Sequence, residues 1–271
     1  MYYSMLHICS RLINSNSKYL KNFNKYKIMK YNYMFRQKSK KEIPIHKKYE
    51  ILNPKIYNQI IPKYNDTLAI RGTIANTHSD IDKKNISLFL GSDFHQVIYP
   101  VNSNGDLNFI AIMKYPLSAD KQNDYSLFND NSFIKRVLDK VPFAIKGISN
   151  NLENLKIFPV FVSDDFYKIK SDKIHLIGDA FFAFPPSFAQ GASQSIEGAY
   201  ELFKNIQNNN ENDFFKKREK RTKMVNIRSK LNQFAFHFSN PLTVFLRNFV
   251  LKRLVKNKKF LEIYLGKIYN G

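Results

Sequence analysis

Lys173-Ile-His-Leu-Ile-Gly-Asp-Ala-Phe-Phe-Ala-Phe-Pro-Pro-Ser-Phe-Ala-Gln-Gly-Ala-Ser-Gln-Ser-Ile-Glu-Gly-Ala-Tyr-Glu-Leu-Phe203 is the stretch on which the rest of the chain is read. The apolar run from Ile174 to Ile177 predicts a strand that stops at Gly178-Asp179. Pro185-Pro186 stiffens the loop that follows, and Gln190-Gly191 opens a helix expected to run to about Asn208. Ile196, Ala199, Phe203 and Ile206 fall at helical spacing and are its expected buried stripe. An Asp just past a strand's carboxyl end, beside a helix start, is placed to accept hydrogen bonds from a ligand's hydroxyls. The first amides of the helix, at Gly191, Ala192 and Ser193, lack partners within it, and the helix dipole adds partial positive charge there. Such an end favours an anion or an electron-rich carbonyl. The small residues Ala189, Gly191, Ala192, Ser193 and Ser195 leave room for a large flat group. By chemistry alone, an ordinary strand-to-helix connection with a capping Asp fits the same residues.

Upstream, short β-rich runs alternate with tight turns. Strands are expected over Asp66–Ile74, Asn85–Leu90, Phe94–Tyr99 and Leu107–Met113, with turns at Gly91-Ser-Asp93 and Asn102-Ser-Asn-Gly105. This pattern predicts an antiparallel meander in which strand order follows chain order. Residues 130–146 carry Phe133, Val137, Leu138 and Val141 at helical spacing. Lys156–Val162 reads as another strand, and Pro159 confines it to an edge or a break. Pro241 divides the basic C-terminal part into two helices. The fold class expected is therefore α+β. Its parts are a basic, poorly ordered leader (1–50), a β-meander with a helix (51–168), the strand–loop–helix (169–210) and a basic helical segment (211–271).

Composition narrows the function. The chain of 271 residues carries 43 Lys+Arg against 22 Asp+Glu, a formal charge of +21. Residues 1–50 and 206–271 hold the excess, whereas residues 51–205 are neutral. A nucleic-acid-binding domain would place its basic footprint on the best-patterned part, so no specific nucleic-acid partner is expected. The 34 lysines and 30 asparagines fit codon bias in an AT-rich gene. The lone Cys9 excludes a disulfide framework, and the six scattered histidines offer no metal motif. No apolar run approaches the roughly 20 residues needed to cross a bilayer. A cytoplasmic protein is expected, with membrane-peripheral attachment through the basic C-terminal helices as an alternative.

The Gly-Asp segment resembles the C-terminal flavin-binding motif of the FAD-dependent aromatic-ring monooxygenases, the single-component hydroxylases related to salicylate and para-hydroxybenzoate hydroxylase. Gly178-Asp179-Ala180, Pro185-Pro186, Gln190-Gly191-Ala192 and Ile196-Glu197 match that motif at the right offsets. Weaker similarity extends over residues 62–271 and includes Ala69–Ile74, Tyr99-Pro-Val101 and Arg218–Arg221. The resemblance implies that Gly178 and Asp179 meet the ribityl chain of FAD. It implies that Gln190, Gly191 and Ala192 present N–H groups to the isoalloxazine, with Pro186 beside the ring. It further implies NAD(P)H and O2 as co-substrates and a small aromatic substrate, with Arg71, His95 and Tyr99 as candidate pocket walls on the β-meander. No catalytic residue is assigned.

The sequence departs from the pattern at Phe181-Phe182, where Ala-His is usual, and at Gly198 in place of Asp. No GxGxxG and no Asp-Gly dipeptide occurs anywhere, so the N-terminal half that would hold the FAD pyrophosphate is missing. The expectation is an N-terminally truncated monooxygenase. The alternative is a non-enzymatic remnant, or half of a split flavoprotein that pairs with a separate ADP-binding N-terminal half.

Overall fold

A computed structural model of the chain describes residues 27–30, 62–75, 85–102, 105–143, 148–166, 174–208 and 210–266. The strands are β1 (Lys27–Lys30), β2 (Lys63–Ile74), β3 (Ser87–Gly91), β4 (Phe94–Pro100), β5 (Leu107–Lys114), β6 (Leu152–Val162) and β7 (Ile174–Ile177). The principal helices are α1 (Asn131–Leu138), α2 (Gly191–Gln207), α3 (Glu211–Phe236) and α4 (Pro241–Leu254). The chain divides into two compact units, one of 1–61, 163–183 and 191–216, the other of 62–162, 184–190 and 217–271.

The larger unit is built on an antiparallel five-stranded sheet of order β3-β4-β5-β2-β6. The expected meander holds for β3, β4 and β5, but β2 lies between β5 and β6 instead of leading the series. The reason is burial: Leu68, Ala69 and Ile70 are nearly inaccessible on both faces of β2, which only an interior position provides. β6, with Pro159, takes the edge, as a residue without an N–H requires. On one face, Leu68, Ile70, Ile98 and Phe109 pack with Phe128, Phe133 and Val137 to form the main core. Each such side chain contributes about 1.5–3 kcal/mol by leaving water.

The helix expected over 130–146 is shorter. α1 starts where the Asp130 carboxylate accepts from the Phe133 N–H at 2.7 Å, and it ends at Leu138. Pro142 ends it, because the residue before a proline avoids helical angles; the Pro142 carbonyl instead accepts from Gln96 Nε2 at 2.9 Å.

In the smaller unit β1 pairs with β7 in parallel, with Lys27 opposite Ile174 and Lys30 opposite Ile177. Four residues are too few to show periodicity, so this strand could not be read from the sequence. α2 also corrects part of the expected burial: Ala199 and Ile206 pack on the core, but Ile196 and Phe203 are exposed, and the most covered positions are Gln194, Gly198, Leu202 and Asn205. Polar members of that face are satisfied locally. Gln194 Nε2 donates to Glu197 Oε2 at 2.9 Å and Asn205 Nδ2 to the Glu201 carbonyl at 2.8 Å. Leu202 packs with Ile177 and Phe214 as the unit's core. Pro241 occupies the first turn of α4, capped by Asn240 Oδ1 accepting from the Leu242 N–H at 2.9 Å.

Candidate functional site

In the smaller unit, β7 ends at Ile177, and Gly178, with a left-handed φ of +63°, follows it. A Cβ there would stand 2.4 Å from Ser195 Oγ, so the position requires glycine twice over. The Phe181 and Phe182 N–H groups both donate to the Gly178 carbonyl, at 2.9 and 3.0 Å, and close a tight turn around Asp179. Both rings are buried against Phe166, with centroids 5.3 and 5.0 Å away, and clamp that turn in place. The two phenylalanines that depart from the motif thus serve as its anchor.

Asp179 Oδ1 lies 3.8 Å from where a Gly191 Cβ would be, which sets the carboxylate beside the start of α2. The group is half-buried, and among the described residues nothing donates a hydrogen bond to it. Burial pushes its carboxyl up to about 6. Among the described hydrogen bonds no side chain accepts from the Gly191, Ala192 or Ser193 N–H groups, and Ser195 Oγ donates to the Gly191 carbonyl at 2.9 Å. Among the described residues, a carboxylate without a donor beside amides without an acceptor can take a ligand that carries both hydroxyls and an electron-rich edge.

The loop 184–190 belongs to the larger unit. Pro186–Phe188 forms one 3-10 turn, and Ala189 exits it at φ 52°. Ser187 Oγ donates to the Ser229 carbonyl at 2.8 Å and Asn232 Nδ2 to the Ser187 carbonyl at 3.3 Å, which pins the loop to α3. Gln190 is buried, and its Oε1 has no donor among the described residues. Of the six residues expected to contact flavin, Gly178, Asp179, Gly191 and Ala192 stand in the smaller unit, and Pro186 and Gln190 in the larger.

The sheet register brings the three pocket candidates onto one face. His95 is opposite Ile112, which is opposite Ala69; Val97 and Ile110 continue the next row to Arg71; Tyr99 is opposite Asn108, itself opposite Thr73. Side chains alternate along each strand, so Arg71, His95 and Tyr99 share the face away from the main core, where Ala69, Ile112 and Val160 cluster. Arg71 and Tyr99 are half-exposed, whereas His95 is buried. His95 Nδ1 lies 2.9 Å from His237 Nε2, so one ring donates and the other accepts. Burial, with His237 adding to it, pushes the His95 imidazolium down to about 3. Burial lowers that of His237 as well, with Asp93 opposing and Lys114 assisting. No sequence signal could have found this pair, because 142 positions separate its members.

The sequence matches no protein-family model and no curated protein. Solved structures do match. HpxO of Klebsiella pneumoniae, complexed with FAD and uric acid, aligns at TM-score 0.55 and 13% identity over 80% of this chain and 57% of that one. p-Nitrophenol 4-monooxygenase PnpA of Pseudomonas putida DLL-E4 aligns at 0.56 and 15%, over 77% and 53%. A salicylate hydroxylase substrate complex aligns at 0.50 and 16%, over 73% and 55%. The chain has the fold of these hydroxylases. It spans little more than half the length of each.

The residues present fit the head of a flavin better than its tail. Within the smaller unit, the Asp179 carboxylate, which has no donor among the described residues, and the start of α2 suit ribityl hydroxyls and ring atoms. For the pyrophosphate there is no counterpart among the described residues: β1 runs parallel to β7, yet residues 31–50 after it contain no glycine.

Proposed function

We propose that this chain is the flavin-head and substrate portion of an FAD-dependent monooxygenase that hydroxylates a small aromatic compound with NAD(P)H and O2. The observation that carries the reading is the pairing, on a hydroxylase fold, of Asp179 with the N-terminus of α2, neither of which has a side-chain partner among the described residues. Asp179 would accept from ribityl hydroxyls, and the Gly191 and Ala192 N–H groups would bind the carbonyl edge of the ring. When bound, FAD would supply the redox chemistry that couples NAD(P)H oxidation to transfer of one oxygen atom. Negative charge on that ring edge is favoured by a fixed helix pole that needs no reorganisation. The face bearing Arg71, His95 and Tyr99 would orient the substrate. Arg71 would attract an anionic substituent, and the neutral His95–His237 pair would offer hydrogen bonds without a charge.

Titration of the purified chain with riboflavin and with FAD, followed by isoalloxazine fluorescence, tests the reading. Both ligands are expected to bind, within a few-fold of each other, and Asp179→Ala is expected to weaken both at least 10-fold. Binding indifferent to Asp179 would sink the assignment. FAD binding a thousandfold tighter than riboflavin would show that a phosphate cradle exists elsewhere in the chain. A second reading, a half-site completed by a separate ADP-binding protein, is favoured by the absence of glycine after β1. It predicts NAD(P)H oxidation only after that partner is added.

A further inference from the structure

α4 is polar inside and apolar outside. Its buried side chain is Arg247, 6% exposed, whose Nη1 donates to the Phe236 carbonyl at 3.0 Å and the Ala235 carbonyl at 3.4 Å. The arginine thereby caps the last turn of α3, which fixes the direction in which α4 faces. Outward stand Leu242 (75% exposed), Phe245 (69%), Leu246 (58%) and Phe249 (47%), at i, i+3, i+4 and i+7. A soluble helix of ordinary patterning has the reverse arrangement. Ordinary monomers rarely expose such a contiguous apolar stripe without a use for it.

The charge around the stripe identifies what it meets. Between Glu219 and Glu262 the chain has no carboxylate and eleven Lys or Arg residues. Lys252, Arg253, Lys256, Lys258 and Lys259 gather at and beyond the C-terminal end of α4, all exposed. The Arg253 guanidinium lies 3.6 Å over the Phe249 ring, so charge and apolar surface meet at one edge. Pairing of two copies through this face would bring these cations together, which Coulomb repulsion disfavours. A helix of 14 residues is too short to span a bilayer, and no described helix is long and apolar enough to do so. Leu and Phe at acyl depth with Lys and Arg at headgroup level is the arrangement of a helix lying in a membrane interface.

We infer that α4 docks the chain on an anionic phospholipid surface, with Leu242, Phe245, Leu246 and Phe249 inserted and the Lys252–Lys259 cations on the headgroups. The inference is independent of the flavin reading, since its test involves neither cofactor nor turnover. The full-length chain is mixed with vesicles of phosphatidylcholine alone or with 30% phosphatidylserine. Phe245→Trp gives a fluorescence probe, because the sequence has no other tryptophan.

The chain is expected to co-sediment with the anionic vesicles at least 10-fold better than with neutral ones. The Trp emission should shift to the blue and be quenched by brominated acyl chains. Lys252→Gln and Lys256→Gln should each weaken binding about 5-fold, the effect of one cation near such a surface. Leu246→Glu/Phe249→Glu should abolish quenching; these side chains are exposed, so an unchanged circular dichroism spectrum is expected to accompany the loss. Three outcomes overturn the inference: no co-sedimentation; co-sedimentation that survives Leu246→Glu/Phe249→Glu, which is charge adhesion only; or a dimer in ultracentrifugation that the same double variant dissociates, which makes a second copy the occupant.

Discussion

Asp179, the residue proposed to meet the flavin, weakens the ligand-free protein. Its carboxyl is raised to about 6 by burial, above its ordinary value of 3.8. The folded chain therefore holds a proton that the unfolded chain releases, and stability is lost as pH rises from about 4 to about 6. The shift corresponds to at most about 3 kcal/mol. Asp179→Asn is expected to stabilise the ligand-free chain at pH 8, not at pH 3.5, while weakening flavin binding. Urea unfolding at the two pH values, beside a riboflavin titration, checks both effects; equal stabilisation at both pH values would refute the linkage. Gly178 gives the opposite case. Gly178→Ala would force a side chain onto φ +63° and against Ser195, at a cost of about 1–3 kcal/mol in stability. The Gly-Asp dipeptide was legible from sequence because both demands are local. That no described residue donates to Asp179 was not, since it depends on which distant groups reach it.

At the scale of elements, the link between the end of α3 and β4 is pH-sensitive. The His95–His237 hydrogen bond needs both rings neutral or sharing one proton, with Asp93 and Lys114 the charged groups that act on it. Burial holds both imidazoles below their ordinary 6.5, so their contribution is complete above that pH and falls as pH drops; for His95 the loss continues down to about 3. At pH 5 the loss for His95 amounts to about 2 kcal/mol. His95→Gln should therefore flatten the stability profile between pH 6.5 and 5; a profile as steep as the wild type's would count against the pair. In α2, Leu202 is buried with Ile177 and Phe214, and Leu202→Ala should cost about 2–5 kcal/mol. Faster amide exchange in β7 and α2 would register that loss. Existence and type of the long elements followed from hydrophobic spacing. Of the stripe expected on α2, Ala199 and Ile206 do pack on the core, but Ile196 and Phe203 do not, because Gln194 and Asn205 reach partners within their own helix and so tolerate burial that composition alone argues against.

At the scale of the whole molecule, a charge of +21 on 271 residues sets the non-specific behaviour. Retention on a polyanion resin is expected to fall steeply as salt rises from 50 to 200 mM. The two units carry separate cores, Phe109 in one and Leu202 in the other. Phe109→Ala should cost about 3–5 kcal/mol, with increased exchange across β2, β4 and β5. Sequence by itself determined the α+β class, the strand–loop–helix around positions 178–192 and the basic ends, because turns, periodicity and charge are short-range properties. Tertiary structure alone decided that β2 lies inside the sheet, that Lys27–Lys30 pairs with β7, that His95 meets His237, and that α4 turns its arginine inward. Each of those joins residues far apart in the chain, and which distant surfaces meet depends on the shape and burial of the completed fold.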